Sequence, residues 1–398
     1  MLFPVRIHGA ECTLGIALAL LLATAGCSDH EHKSQDPPPY SDRVPSVRRM
    51  IALNDLTLKR TSSGAGLWFE PYEVGSVVSF SGFGVCYDFG LVVGAKIGGV
   101  TFVSTSSMFT GDFRAERTES GETEVHFLTP FDTPSIPDYV QWPVAAGAPH
   151  TPDGQPRAYG VGTIFTAFND EDPLSHRRLH GAPMGAFVQE TVWAQSRFPS
   201  VLFVRWEVTN RSTSRWEDAY LGVWSDPDLG AAHNDRIGSD VARNMNYAYT
   251  DTASAEEYFG STNPSFGIRY LKTTNDAGLH AAPRPLKSSG EPTSPQEAYN
   301  YLLGLDMQGH PMIDPTTNLP TLFWAAGDPI AGTGHVDALD FDRQMMGSVG
   351  PFSLGPGEST QLVVALILTT NEDAMVSLAL LRTVADQVAV HRELWDLN

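Results

Sequence analysis

The densest group of side chains able to do chemistry lies between Trp224 and Asp240, in the segment WSDPDLGAAHNDRIGSD. Asp226 and Asp228 flank a proline, Gly230 permits a sharp turn, and Asn234, Asp235 and Asp240 follow within one loop. Hard cations such as calcium take six to eight oxygen ligands from carboxylates, amides and carbonyls. Carboxylates crowded into one glycine-bent loop repel one another unless a cation or hydrogen-bond donors neutralise them. Asp226, Asp228, Asp235 and Asp240 are therefore the candidate ligands of a Ca2+ ion. The spacing is not that of an EF-hand, because the position that needs the twelfth-residue glutamate is Ile237. The competing reading is a turn-rich loop whose aspartates cap backbone N–H groups.

Two further acidic stretches stand out. Asn169, Asp170, Asp172 and His176 (FNDEDPLSH) either join the first group or form a polar loop after the strand Thr163–Phe168. Asp328, Asp337, Asp340 and Asp342 make the third stretch, in which Arg343 is placed to neutralise a neighbour. Trp142, Trp193 and Trp324 either stack on sugar rings or belong to the core. No H-E-x-x-H zinc motif is present. There is no nucleophile elbow, P-loop or dinucleotide fingerprint. A glycosidase needs only two placed carboxylates, and a sequence this acidic leaves room for such a pair.

The elements that must position these groups are short apolar runs rich in Val, Phe, Trp and Tyr, punctuated by Gly, Pro, Asn and Asp. Residues 91–104 read as two strands about a glycine turn. Residues 186–195, 201–209, 219–224 and 361–369 read as further strands. In 201–209, Leu202, Val204, Trp206 and Val208 alternate with a wetter face of Arg205, Glu207 and Thr209. One helix is expected from about Glu372 to Trp395, capped near Asn371 and Asp373. Its apolar stripe is Val376, Leu380, Val384 and Val388. The fold class is thus mainly β: a large antiparallel β-sandwich with long loops and a C-terminal helix. The turn-rich stretch 251–296 reads as a long insertion in one sandwich or as the seam between two subdomains.

The formal charge of −20 disfavours nucleic acid and anionic membrane surfaces as partners. The N-terminal apolar run Thr13–Ala25 is too short for a bilayer span, follows a basic residue, and ends in small residues. It leads directly into Cys27 and resembles the lipobox of bacterial lipoproteins, with Thr24 where that motif prefers Leu. The resemblance implies a signal peptide at 1–26 and acylation of Cys27, so that the partner is a membrane reached through an N-terminal lipid. A Pro-rich tether over 27–48 would join it to a domain at 49–398. Ser28 after the cysteine implies outer-membrane sorting. Removal of Cys12 and acylation of Cys27 would leave Cys86 as the single thiol of the three cysteines, too few for a disulfide framework.

Across nearly the whole mature chain the motifs are similar to a β-rich ectodomain family of uncharacterised secreted and cell-surface bacterial proteins. The similarity is carried by GLVVGAKIGG, FNDEDPLSH, PMGAFVQETVWAQ, VLFVRWEVTNRS, the WSDPDLG…NDRIGSD loop, EAYNYLLGL, GDPIAGTGHVD and GPFSLGPGES. Asn234 and Ser239 depart from the family pattern, which favours Asp and Cys there. The sorting modules usual in that family do not follow, which fits an anchor in their place. The resemblance implies an architecture and a location without an activity. The expectation is a lipid-anchored envelope protein with a non-enzymatic, calcium-stabilised sandwich for binding, adhesion or structure and an unidentified protein or glycan ligand. The alternative is an extracellular glycan-active hydrolase or lyase that uses the clustered carboxylates.

Overall fold

The computed structural model describes residues 48–397 except 62, 65–77, 81–82, 108–110, 119–120, 123, 231–233, 251–258, 274–275, 277, 286–290 and 339–341. Cys27 and its tether lie outside the described residues, as does Asp340. In chain order the strands begin with β1 (Arg48–Ala52), β2 (Leu56–Thr61), β3 (Val78–Phe80), β4 (Phe83–Ile97) and β5 (Val100–Thr105). Then come β6 (Arg114–Ala115), β7 (Arg117–Thr118), β8 (Gly121–Glu122), β9 (His126–Leu128) and, after the short helix α1 (Pro137–Val140), β10 (Gly162–Asn169). The central run is β11 (Ala186–Ala194), β12 (Val201–Asn210), β13 (Trp216–Pro227), β14 (Asp235–Asp240), β15 (Met245–Thr250) and β16 (Asn263–Lys272). Helix α2 (Pro295–Leu302), β17 (Met312–Asp314), β18 (Leu319–Thr321), β19 (Met345–Leu354), β20 (Ser359–Asn371) and helix α3 (Ala374–Val390) complete the order.

Period-two alternation sorts these strands into two large antiparallel sheets. The first runs β1-β2-β3-β4-β13-β19, with β5 also on β4. The second runs β14-β15-β16-β20-β12-β11-β10-β6, with β9 also on β10. Their facing sides make one core. Phe89, Leu91 and Val93 of β4 and Leu221 and Val223 of β13 meet Val204 and Trp206 of β12 and Val364 and Leu366 of β20. The antiparallel sandwich expected from the sequence is therefore the observed fold. The segment 251–296 is not an insertion: β16 lies within it and pairs with both β15 and β20.

Both outer faces are covered by helices. Helix α2 packs over Val92, Tyr220, Trp224 and Met346 on the first sheet. It comes so close because β4 and β13 present glycines there: a Cβ at Gly94 or Gly222 would meet a Leu302 methyl at 2.3 or 2.7 Å. Helix α3 covers the second sheet, where Val201 and Phe203 of β12 are buried while Arg205 and Glu207 stay partly exposed. Asp373 caps α3, accepting from the N–H groups of Met375 and Val376 at 2.8 and 3.1 Å.

The buried face of α3 differs from the expected one. Leu378, Leu381, Ala385 and Val388 are buried, whereas Val376 and Leu380 are 45% and 41% exposed. The cause is geometric. A strict four-residue repeat drifts about 40° per step on a 3.6-residue helix, so only its last member reaches the core face. Trp142 and Trp193 are likewise core residues, 5% and 0% exposed, with indole N–H groups donating to the carbonyls of Pro149 and Leu394. They are not sugar platforms.

Leu381→Ala is expected to destabilise the protein by about 2–5 kcal/mol, and Leu380→Ala by less than about 1 kcal/mol. Equal losses for the two in denaturant titrations would contradict the observed orientation of α3.

Candidate functional site

The first sheet carries its outer face past the edge of α2 and into a group of acids. On β13 the alternation that buries Tyr220 and Trp224 under α2 brings Asp226 to the same face. Antiparallel register sets Asp226 directly opposite Asp88 of β4, and both are fully buried. Like charges directly across a ladder are unfavourable, so this pair needs compensation. Asp88 receives some from the Ser107 hydroxyl, which donates to its Oδ2 at 2.8 Å. A register shift follows between Asp226 and Pro227, Pro227 pairs with Cys86, and the Asp228 N–H donates to the Val85 carbonyl at 3.1 Å.

There Asp226 and Asp228 meet Asp342, and one carboxylate oxygen from each lies within 4.8 Å of the others. Three ionised carboxylates at that separation repel by about 3 kcal/mol per pair at an effective dielectric constant of 20. Asp226 is fully buried, while Asp228 and Asp342 are partly exposed. The donors are all oxygens, which suits a hard divalent cation. Cys86 lies beneath the group, its thiol buried and donating to the Asp88 carbonyl at 3.0 Å. Burial above all, then the charges of Asp226, Asp88 and Asp228, push its pKa well up, so it stays a neutral thiol at neutral pH.

Asp342 reaches the group from a distant segment, and a buried ion pair holds that segment in place. Arg343 forms a two-pronged pair with Asp337, at 2.8 and 3.0 Å with both side chains 2% exposed. Asp337 also accepts from the Ile237 N–H at 3.2 Å, which ties the segment to β14.

Of the four residues expected as ligands, the structure brings Asp226 and Asp228 together. Asp235 is buried nearby and closes the loop by accepting from the Leu229 N–H at 3.1 Å. Asp240 is elsewhere. Its carboxylate pairs with Arg243 at 2.9 Å and Arg382 at 3.3 Å, which neutralises it without a cation. Asp342 was visible only as part of the third acidic stretch. That stretch is dispersed: Asp328 pairs with Arg382 at 2.9 Å and Asp337 with Arg343.

The second stretch also divides. Asn169 and Asp172 serve surface contacts with Glu116 and Arg114. Asp170 and His176 turn inward. Asp170 accepts from Ser104 Oγ and from the N–H groups of Met184 and Ala186 at 2.6 to 2.8 Å. His176 contacts the Asp170 carbonyl through Nε2 at 2.8 Å, and its Nδ1 lies 3.9 Å from Asp112. Asp112 is buried, and desolvation raises its pKa to about 8 despite a hydrogen bond from the Thr105 N–H.

No protein-family model matches this sequence, and no curated protein matches it. Solved structures do. A putative aldose 1-epimerase from Escherichia coli K12 matches at 10% identity and TM-score 0.33, over 81% of this chain and 99% of its own. A GalM/aldose epimerase homologue from C. elegans matches at 10% identity and TM-score 0.31, over 82% and 99%. The Slr1438 protein of Synechocystis sp. PCC 6803 matches at 8% identity and TM-score 0.34, over 82% and 96%. Likeness at this level places no residue and assigns no activity. The expectation of a non-enzymatic binding, adhesion or structural module is withdrawn: it rested only on the lack of a catalytic motif in the sequence, and such an absence excludes no activity. The glycan-active alternative is the one carried forward.

The buried carboxyl of Asp112 gives a pH signature. Its folded pKa lies above the unfolded value, so the native state holds a proton that the unfolded chain releases between about pH 4 and pH 8. Its contribution to stability is full below pH 4 and falls by up to about 1.4 kcal/mol per pH unit until pH 8. Asp112→Asn is expected to flatten that part of the pH–stability curve. An unchanged slope would show that Asp112 titrates normally.

Proposed function

We propose that this protein is a calcium-dependent, glycan-active protein of the bacterial envelope, centred on Asp226, Asp228 and Asp342. The observation that carries the reading is the convergence of one buried and two partly exposed carboxylates within 4.8 Å of one another. Three monodentate carboxylates supply at most half of the six to eight oxygens calcium takes, and the partly exposed side leaves the other positions open. Vicinal sugar hydroxyls and sugar carboxylates are hard oxygen donors of the kind those positions accept. A bound ion would also polarise a coordinated oxygen as a Lewis acid. Such close packing suits a cation better than the acid and base of an inverting glycosidase, which stand about 6.5–9.5 Å apart.

The location is part of the proposal and comes from Cys27. Among the described residues no helix is long and apolar enough to cross a membrane. A lipid on Cys27 would hold the domain at the envelope, with the Pro-rich tether giving it reach.

Calcium is expected to bind the purified protein by calorimetry and to raise its melting temperature. At about a hundred times Kd the gain is about 2.7 kcal/mol. Asp226→Asn combined with Asp342→Asn removes both effects. A panel of polysaccharides should include one whose turnover is abolished by chelation and by the same double substitution. No calcium binding, or turnover indifferent to chelation, would overturn the calcium centre. The anchor is tested separately: labelled palmitate should enter the wild type and not Cys27→Ser, and a Cys27→Ser protein that still fractionates with membranes would refute it.

A further inference from the structure

The open side of the sandwich, where edge strands β14 and β19 of the two sheets approach, holds a second constellation built very differently from the acidic group. A small cavity there, about 10 Å3 and so with room for about one water or one hydroxyl, is partly open to solvent and lined among others by Ser239, Asn246, Pro283, Trp324 and Met346. Asn246 is 2% exposed, yet neither its amide nitrogen nor its amide oxygen has a hydrogen-bond partner. Buried amides are almost always satisfied, because an unmet donor or acceptor costs about 1–3 kcal/mol. The indole N–H of Trp324 and Nδ1 of His335 are also buried without partners.

Arg284, next in sequence to Pro283, lies over the Trp324 ring, its guanidinium carbon 4.2 Å from the centroid. His335 meets the same ring edge-on at 4.4 Å. Among the described residues the Arg284 guanidinium makes no ion pair and no hydrogen bond, in a chain whose formal charge is −20. Stacking fixes the plane of a guanidinium and leaves its edges for a two-pronged contact. Burial above all, and then the charge of Arg343, work against the Arg284 cation; Asp337 and Tyr301 offset part of this, and a bound anion would add to that offset.

The platform under Arg284 is rigid. Ala282 exchanges backbone hydrogen bonds with Leu322 and Trp324, each at 2.9 Å. Ser239 holds the carbonyls of Trp324 and Ala325 through its hydroxyl at 2.7 Å and its N–H at 3.2 Å. Ala325 sits at φ 48°, a left-handed conformation that a residue with a Cβ adopts rarely and that clusters at ligand sites.

We infer that this edge is a subsite for an acidic sugar, in which Arg284 takes the carboxylate of a uronic acid and the Asn246 amide and Trp324 N–H take a hydroxyl entering the cavity. The inference deepens the glycan reading above by naming its substrate class. The two sites share their supports: β14 runs from Asp235 to the cavity wall at Ile237–Ser239, and the other wall, Met345–Met346, begins three residues after Asp342.

The test is binding by titration calorimetry of a short oligogalacturonide and of a neutral galactose oligomer of equal length, each with calcium and with chelator. Wild type should prefer the acidic oligomer in both conditions. Arg284→Ala should weaken it at least about tenfold, the loss expected for a charge-assisted hydrogen bond, and leave the neutral oligomer unchanged. Arg284→Lys should fall between, since it keeps the charge and loses the fork. Arg284→Gln keeps much of the stem over Trp324 and guards against a simple folding defect, with melting temperatures checked for all variants. Asn246→Ala should weaken both oligomers. Equal binding of the two oligomers by wild type, or wild-type binding by Arg284→Gln, overturns the subsite. Acidic-oligomer binding that persists in chelator, in a protein that binds no calcium or whose turnover is indifferent to chelation, would instead refute the calcium centre and leave the subsite standing.

Discussion

Strand β13 is hydrogen-bonded to β4 on one side and β19 on the other, and both of its faces are covered, one by the second sheet and one by α2. An antiparallel strand in that position has no wet face on which to place polar residues. Near its end it nonetheless carries Ser225 and Asp226, both fully buried. Every charge at that end therefore acts in a medium where neither water nor salt screens it well. This is why the acidic group differs from an ordinary polar loop. Asp226 is placed by the register of the core sheet and cannot swing to solvent without breaking the ladder opposite Asp88. The repulsion is built into the fold and has to be balanced where it stands.

A second constraint converges on the same place. The Asp337–Arg343 pair is buried on both sides, and such a pair contributes little net stability while being costly to break. Its value here is positional. It docks the segment carrying Asp342 against β14 through Ile237, and the same segment leads into Met345 and Met346 at the cavity wall. One clamp thus sets the geometry of an anionic group and of a cationic subsite. Truncating either partner would leave an isolated buried charge between them, and both sites would suffer together.

Much of the fold was legible in the sequence because period-two alternation survives wherever one face of a strand is partly wet, as in β12. The boundaries of β20 were legible from the Gly-Pro-Gly turn before it, where the Gly355 N–H donates to Glu358. Helix α3 was visible but its face was not, since a repeat of four and a period of 3.6 agree over only one or two turns. Helix α2 had a signal that went unused. Ser294-Pro295-Gln296-Glu297 is an N-terminal capping sequence with proline at the first helical position, and the Ser294 hydroxyl does accept from the Glu297 N–H at 3.3 Å. The candidate site was half legible. Asp226 and Asp228 belong to one strand end and announce themselves, whereas Asp342 arrives across more than a hundred residues. Asp240 misled because closeness in sequence stood in for closeness in space, although Arg243 one turn later could have indicated its partner. Nothing local marked Arg284, because the ring it lies over, Trp324, stands forty residues away in the sequence.

Net charge then decides how the two sites must divide their work. A surface this acidic repels a polyanion at distances up to a Debye length, about 8–10 Å at ordinary ionic strength. General electrostatic attraction cannot bring an acidic glycan here, so recognition must act at contact range. A divalent ion among Asp226, Asp228 and Asp342 would offset most of the local negative charge, and Arg284 would supply a fixed positive edge beside the cavity. Each would strengthen the other. Without the ion, a uronate held at Arg284 would face three carboxylates, and without Arg284 the open calcium positions would not distinguish an acidic sugar from a neutral one. Coupling of that kind favours a ligand long enough to touch both, which is how a strongly acidic protein could select an acidic polymer over the small anions around it.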